Sequence, residues 1–295
     1  PMPENILEVT HLKKSFTCGK DALRDVTFSL PYGCIMGYVG ENGAGKTTTL
    51  RCLLRAQNAD EGEIRLFGTP LAGLACTDWE KVGAVYDESS FAPYLTPRCL
   101  AGILRGLYRR WDDRCFEALL ARFRLPDGQK IGTFSKGMQT KLNLAAALAH
   151  HPQLLVLDEV TGGLDPVARE EILDLFLEFV QQDDRAILFS THITSDLEKV
   201  ADQITFLLDG TTRLTVDRDT LMDRYGIVRC LASQTDRLPP LPALAVRRLA
   251  QRTDFLVADR AQAQQLCPGM VVDRPTVEEV LILLSRQETT GGAVL

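Results

Sequence analysis

No stretch of this chain is apolar for long enough to cross a bilayer, which takes about 20 consecutive apolar residues in a helix. The N-terminal segment also lacks the basic-then-apolar profile of a secretory signal. The chain is therefore expected to be cytoplasmic, and a role at a membrane is expected to need a partner that spans it. Basic blocks are missing as well. With 33 Lys and Arg against 39 Asp and Glu the net charge is −6, which argues against a nucleic-acid footprint. From Asp217 onward the signs balance at ten each, so the acidic excess belongs to the earlier part. None of the eight cysteines stands in a C-x-x-C pair, so scattered reduced thiols are expected rather than a metal site or disulfide framework. What is present is ordinary for a globular chain, 45% hydrophobic and 24% charged. A length of 295 residues suits two domains, or one large domain with an appendage.

One stretch carries explicit chemistry. Gly40-Glu41-Asn42-Gly43-Ala44-Gly45-Lys46-Thr47-Thr48 fits G-x-x-x-x-G-K-[ST], a phosphate-binding loop. The apolar run Cys34 to Val39 before it reads as a buried strand, and Thr49 to Leu54 after it has helical composition. Glycines 40, 43 and 45 let the backbone turn its N–H groups inward around oxyanions, and the helix start adds a positive dipole end. Lys46 is expected at the β/γ-phosphates and the Thr47 hydroxyl on Mg²⁺. Upstream, Phe16 offers a ring able to stack on a purine base, with a strand-edge packing role as the plain alternative.

Leu154-Leu155-Val156-Leu157-Asp158-Glu159 is the second informative stretch. Four consecutive apolar residues make a strand covered on both faces, and its two carboxylates fall at the ligand-binding edge of a parallel sheet. Asp158 is expected to serve Mg²⁺ and Glu159 to polarise an attacking water. Ala186 to Ser190 reads as another buried strand ending on Thr191-His192, so His192 faces the same edge and can sense a γ-phosphate. Helical spacing runs through Leu100, Ile103, Leu104 and Leu107, then Phe116, Leu119, Leu120 and Phe123, and a further helix starts near Ser135. Two histidines, His150 and His151, close that helix and need no metal to explain them. Residues 204–216 read as a hairpin, and Val277 to Ser285 as a helix.

In this order the elements resemble the ATP-binding subunit of an ABC transporter over residues 6–216, in particular drug- and bacitracin-type exporter ATPases. Phe134-Ser135-Lys136-Gly137-Met138-Gln139 occupies the place of that family's signature segment, between the phosphate loop and Asp158-Glu159. The resemblance implies an α/β fold: a P-loop NTPase with a parallel-sheet core, an antiparallel β subdomain and a helical insert at about residues 90–150. It divides the chain into a nucleotide-binding domain, 1–216, and a small C-terminal α+β extension, 217–295, with a dimerisation or regulatory role in view. The implied cofactors are ATP and Mg²⁺. Phe16, residues 40–48, Ser135, Lys136, Gly137 and Asp165 would hold nucleotide, Ser135 and Gly137 doing so for the partner of a head-to-tail dimer. Thr47, Asp158 and Asp87 would serve the metal, Asp87 replacing the family's usual glutamine. Lys46, Glu159 and His192 would carry the hydrolysis. The implied partners are a permease subunit with transmembrane helices and a second nucleotide-binding subunit, with no nucleic acid, placing the chain peripherally at the inner face of the membrane. Two other readings stay open: a soluble ABC ATPase outside transport, and a low-activity regulatory partner in a mixed dimer, the latter suggested by Asp87.

Overall fold

The computed structural model of the chain describes residues 3–16, 19, 21–86 and 91–286. Asp87, and the tail beyond residue 286, lie outside the described residues. Strands β1 (Asn5–Ser15) and β2 (Asp21–Pro31) form an antiparallel pair. In β2, Leu23, Val26, Phe28 and Leu30 are buried between exposed neighbours, the alternation of a sheet covered on one face. Strand β3 (Ile35–Val39) is buried at all five positions, and helix α1 (Lys46–Leu53) follows the glycine loop. Strands β4 (Glu61–Leu66) and β5 (Thr69–Pro70) extend the antiparallel part, and short α2 (Cys76–Trp79) leads into β6 (Val82–Val85).

The expected helical insert is α3 (Pro97–Leu107), α4 (Asp113–Arg122) and α5 (Lys136–Leu148). Each is started by a side chain that accepts a backbone N–H: Thr96, Asp112 and Ser135. Then come β7 (Leu154–Asp158), α6 (Pro166–Val180), β8 (Ala186–Thr191), α7 (Thr194–Val200), β9 (Gln203–Leu208) and β10 (Thr211–Asp217). The large sheet has the order β5-β4-β1-β2-β10-β9-β3-β8-β7-β6. Strands β9, β3, β8, β7 and β6 run parallel, while β5, β4, β1 and β2 are antiparallel. Register aligns Val39 with Thr191 and Asp158 with Ser190, so the carboxyl ends of β3, β8 and β7 finish side by side. That shared edge is what positions the site.

The C-terminal part comprises α8 (Arg218–Arg224), β11 (Gly226–Leu231), β12 (Ala243–Arg248), β13 (Arg252–Val257), α9 (Arg260–Leu266), β14 (Val272–Asp273) and α10 (Val277–Ser285). Its strands form an antiparallel sheet, β12-β13-β11-β14. Val228, Leu241 and Val257 make a small core of its own. However, Ile227, Leu256, Val277, Val280 and Leu283 join the same apolar cluster as Leu197 and Val200 of α7. Glu198 of α7 also accepts the backbone N–H of Val277 at 2.8 Å, satisfying one of the free donors at the start of α10. The extension is packed onto the main body through α7.

Candidate functional site

The phosphate loop is shaped by two close backbone approaches. An added Cβ on Gly40 would stand 2.3 Å from the Leu207 carbonyl oxygen. On Gly45, at φ +109°, it would meet Leu23 and the Ala22 carbonyl oxygen at 2.6 and 2.7 Å. A side chain at either place is excluded by packing, and at Gly45 by conformation as well. Lys46 is 6% exposed, and its Nζ donates to the carbonyls of Gly40 at 2.7 Å and Glu41 at 3.3 Å. The loop thus folds around the ammonium that is meant to meet phosphate.

Across the cleft, the Thr47 hydroxyl donates to Asp158 Oδ2 at 2.8 Å. Asp158 is 5% exposed, and burial pushes its carboxyl above the usual range against the Thr47 and Ser190 hydroxyls, which favour the charged form. Glu159 follows in the left-handed region at φ 55°, a conformation that costs a non-glycine residue on the order of 1 kcal/mol. Its backbone N–H donates to the Ser190 carbonyl at 2.9 Å. Its carboxylate lies 3.5 Å from Lys46 Nζ through Oε1, while Oε2 accepts from His192, 2.5 Å from Nδ1. Lys46, Thr47, Asp158, Glu159 and His192 therefore converge, although the sequence separates the first from the last by 146 positions (192 − 46).

Around them lies a cleft of about 680 Å³ lined by Phe16, Asn42, Thr48 and other loop residues together with Lys46, Glu159 and His192. Phe16 lines the cleft and is 38% exposed. The residues suit a hard divalent cation: Asp158 Oδ1 is buried without an aligned partner beside the Thr47 hydroxyl, an oxygen donor set of the kind Mg²⁺ takes.

The other expected residues divide. Glu41 closes the loop through its carbonyl, accepting from Ala44, which is itself buried. Ser135 uses its hydroxyl as the N-cap of α5, 3.3 Å from the Met138 N–H, and neither it nor Gly137 lines the cleft. Lys136, expected to hold nucleotide, lines the cleft of its own chain and runs past Gly163. Asp165 caps α6, accepting from Val167 and Ala168 at 3.0 Å each, and these bonds hold its carboxyl below the usual range. Ala22, Gly162 and Gly163 also line the cleft. Ala22 carries no sequence signal; it arrives because β2 passes directly behind Gly45.

A family model described as ABC transporter matches residues 23–162. The ABC transporter ATP-binding protein YtrB of Bacillus subtilis (strain 168) is 32% identical over 233 residues, 78% of this chain and 78% of that protein. The bacitracin transport ATP-binding protein BcrA of Bacillus licheniformis is 30% identical over 74% of this chain and 72% of its own length. A solved structure of an ATP-binding subunit of an ABC transporter superposes with a TM-score of 0.65 at 29% identity, covering 73% of this chain and 91% of that one.

Proposed function

The chain belongs to the ABC transporter ATP-binding proteins, and from that membership we propose that it is the ATP-hydrolysing subunit that powers export through a separate membrane-spanning permease. The observation that carries the reading is the convergence of Lys46, Glu159 and the Thr47–Asp158 pair at one sheet edge, with Lys46 Nζ 3.5 Å from Glu159. The loop N–H groups and Lys46 bind the β- and γ-phosphates, and Phe16 stacks on the base. Mg²⁺, held by Thr47 and Asp158, would neutralise charge on the phosphate oxygens. Glu159 orients the attacking water and accepts its proton, a role worth roughly 10²–10⁴-fold in rate. His192 fixes the Glu159 carboxylate through Nδ1 and keeps its ring at the γ-phosphate side.

In this reading two copies, or this chain and a related subunit, pack head to tail, and Ser135 and Gly137 present a hydroxyl and an N–H to the partner's nucleotide. Among the described residues no helix is long and apolar enough to cross a membrane, so the permease is a separate subunit or another part of the protein. Ile103 at 48% and Leu107 at 69% exposure lie one turn apart on α3, and with exposed Tyr94 just before that helix they offer apolar side chains on which a cytoplasmic helix of the permease would seat. The chain then lies at the inner face of the membrane. The reading is tested by phosphate release from the purified protein with Mg–ATP. Wild type is expected to turn over. Lys46→Ala is expected to lose both turnover and ATP affinity, and undiminished release in that variant overturns the assignment.

A further inference from the structure

Behind the cleft, three side chains from three elements form a polar cluster: buried Thr161 on the turn after Glu159, half-buried Arg169 on α6 and buried Asp196 in the first turn of α7. Thr161 is 0% and Asp196 1% exposed. Arg169 Nε lies 3.2 Å from Asp196 Oδ1 as an ion pair. Burial pushes the Asp196 carboxyl up, while the nearby Thr161 hydroxyl and Arg169 pull it back. Yet Thr161 Oγ1, Arg169 Nε and Asp196 Oδ2 are all buried without an aligned hydrogen-bond partner. Buried polar atoms are nearly always paired, so three such atoms in one cluster call for a reason.

The place of Asp196 supplies one. An acidic residue at the third position of a helix ordinarily folds back onto that helix's own first N–H groups. Helix α7 begins at Thr194 after the N-cap Ile193, which offers no side-chain cap, and Asp196 is turned instead toward Arg169 and Thr161. Thr161 stands two residues after Glu159, and Asp196 four after His192. Between them, a Cβ on Gly162 would lie 3.8 Å from the His192 ring. Next to Asp196, Leu197 presses on β3 so closely that a Cβ on Gly37 would meet it at 2.7 Å. The start of α7 is therefore located by packing on one side and by this polar cluster on the other.

We propose that Asp196 is a positioning residue for hydrolysis: through Thr161 and Arg169 it locks the start of α7 against the 159–165 turn, so that His192 meets the Glu159 carboxylate. The proposal rests on the ATPase reading above. Asp196 touches neither water nor phosphate, and its contribution is to the alignment of the groups that do. Displacements of about 1 Å at such a distance cost on the order of 10²-fold in rate while leaving substrate contacts intact.

The test is steady-state phosphate release with Mg–ATP by wild type, Asp196→Asn, Asp196→Glu and Thr161→Val, alongside binding of a fluorescent ATP analogue. Wild-type turnover is measured first: its absence overturns the ATPase reading and this proposal with it, and its presence leaves the variants to judge the proposal alone. Asp196→Asn is expected to lower kcat about 10–100-fold with KM and analogue affinity held within about threefold. Asp196→Glu is expected to restore most of the rate. Thr161→Val, which removes a single hydroxyl and keeps the fold if Asp196→Asn does not, is expected to lower kcat several-fold at constant KM. In the double variant the losses should be less than additive, because both act through one cluster. An unchanged kcat in Thr161→Val, or a loss confined to KM, overturns the proposal.

Discussion

His150 sits at the end of α5, 1% exposed, with its ring stacked on Tyr108 at 4.2 Å between centroids and Nε2 3.3 Å from the Val82 carbonyl. Burial lowers its pKa below the ordinary 6.5, against two backbone carbonyls that favour the charged form. The unfolded chain therefore takes up a proton at a pH where the native chain does not. Stability contributed here is present in full above 6.5 and is lost as pH falls toward the lowered native value. His150→Phe keeps a ring on Tyr108 and removes the proton uptake. Its melting temperature is expected to fall less than that of wild type between pH 7 and pH 5, and parallel curves would contradict this. The sequence marks this histidine only as a helix terminus, since its burial depends on β6 and Tyr108 packing over it. The convergence of Lys46, Thr47, Asp158 and Glu159 was legible because each belongs to a short local pattern whose strand or helix context fixes its direction. Thr161, Arg169 and Asp196 were not, because they meet only when α6 and α7 pack. The approach of Lys136 to Gly163 was equally hidden, because the two are brought together only by the fold.

At the scale of elements, the parallel strands announced themselves as uninterrupted apolar runs, and β3, β7 and β8 are buried at every position. The insert was readable from helical spacing, and its caps at Thr96, Asp112 and Ser135 are the residue types that helix starts require. Strand order was not readable, because the placement of β10 between β2 and β9 is decided by packing across the whole sheet. The attachment of α10 to α7 was equally out of reach. Its apolar positions show that a face is buried but not against what. Leu283 is 3% exposed within the cluster shared with α7, so Leu283→Ala is expected to destabilise the protein by about 2–5 kcal/mol. Because the core is shared, denaturant curves followed by near-UV signal and by nucleotide binding should coincide in wild type and variant alike. Two separated transitions would show the extension to be energetically independent.

For the whole molecule, the arrangement is one in which the shared carboxyl edge of β3, β7 and β8 gathers the candidate site residues. The antiparallel strands bring Phe16 to the cleft, the parallel core supplies the carboxylates, and His192 stands two residues before α7, which packs on the C-terminal extension. The central claim is that Glu159 acts on water at a site that binds ATP without it. It is tested most directly by following bound nucleotide and released phosphate together in Glu159→Gln with Mg–ATP. The account predicts that the variant retains ATP intact at near wild-type affinity while phosphate release falls by about 10²-fold or more. Release at the wild-type rate, with ATP consumed in the variant as fast as in the parent, would contradict it.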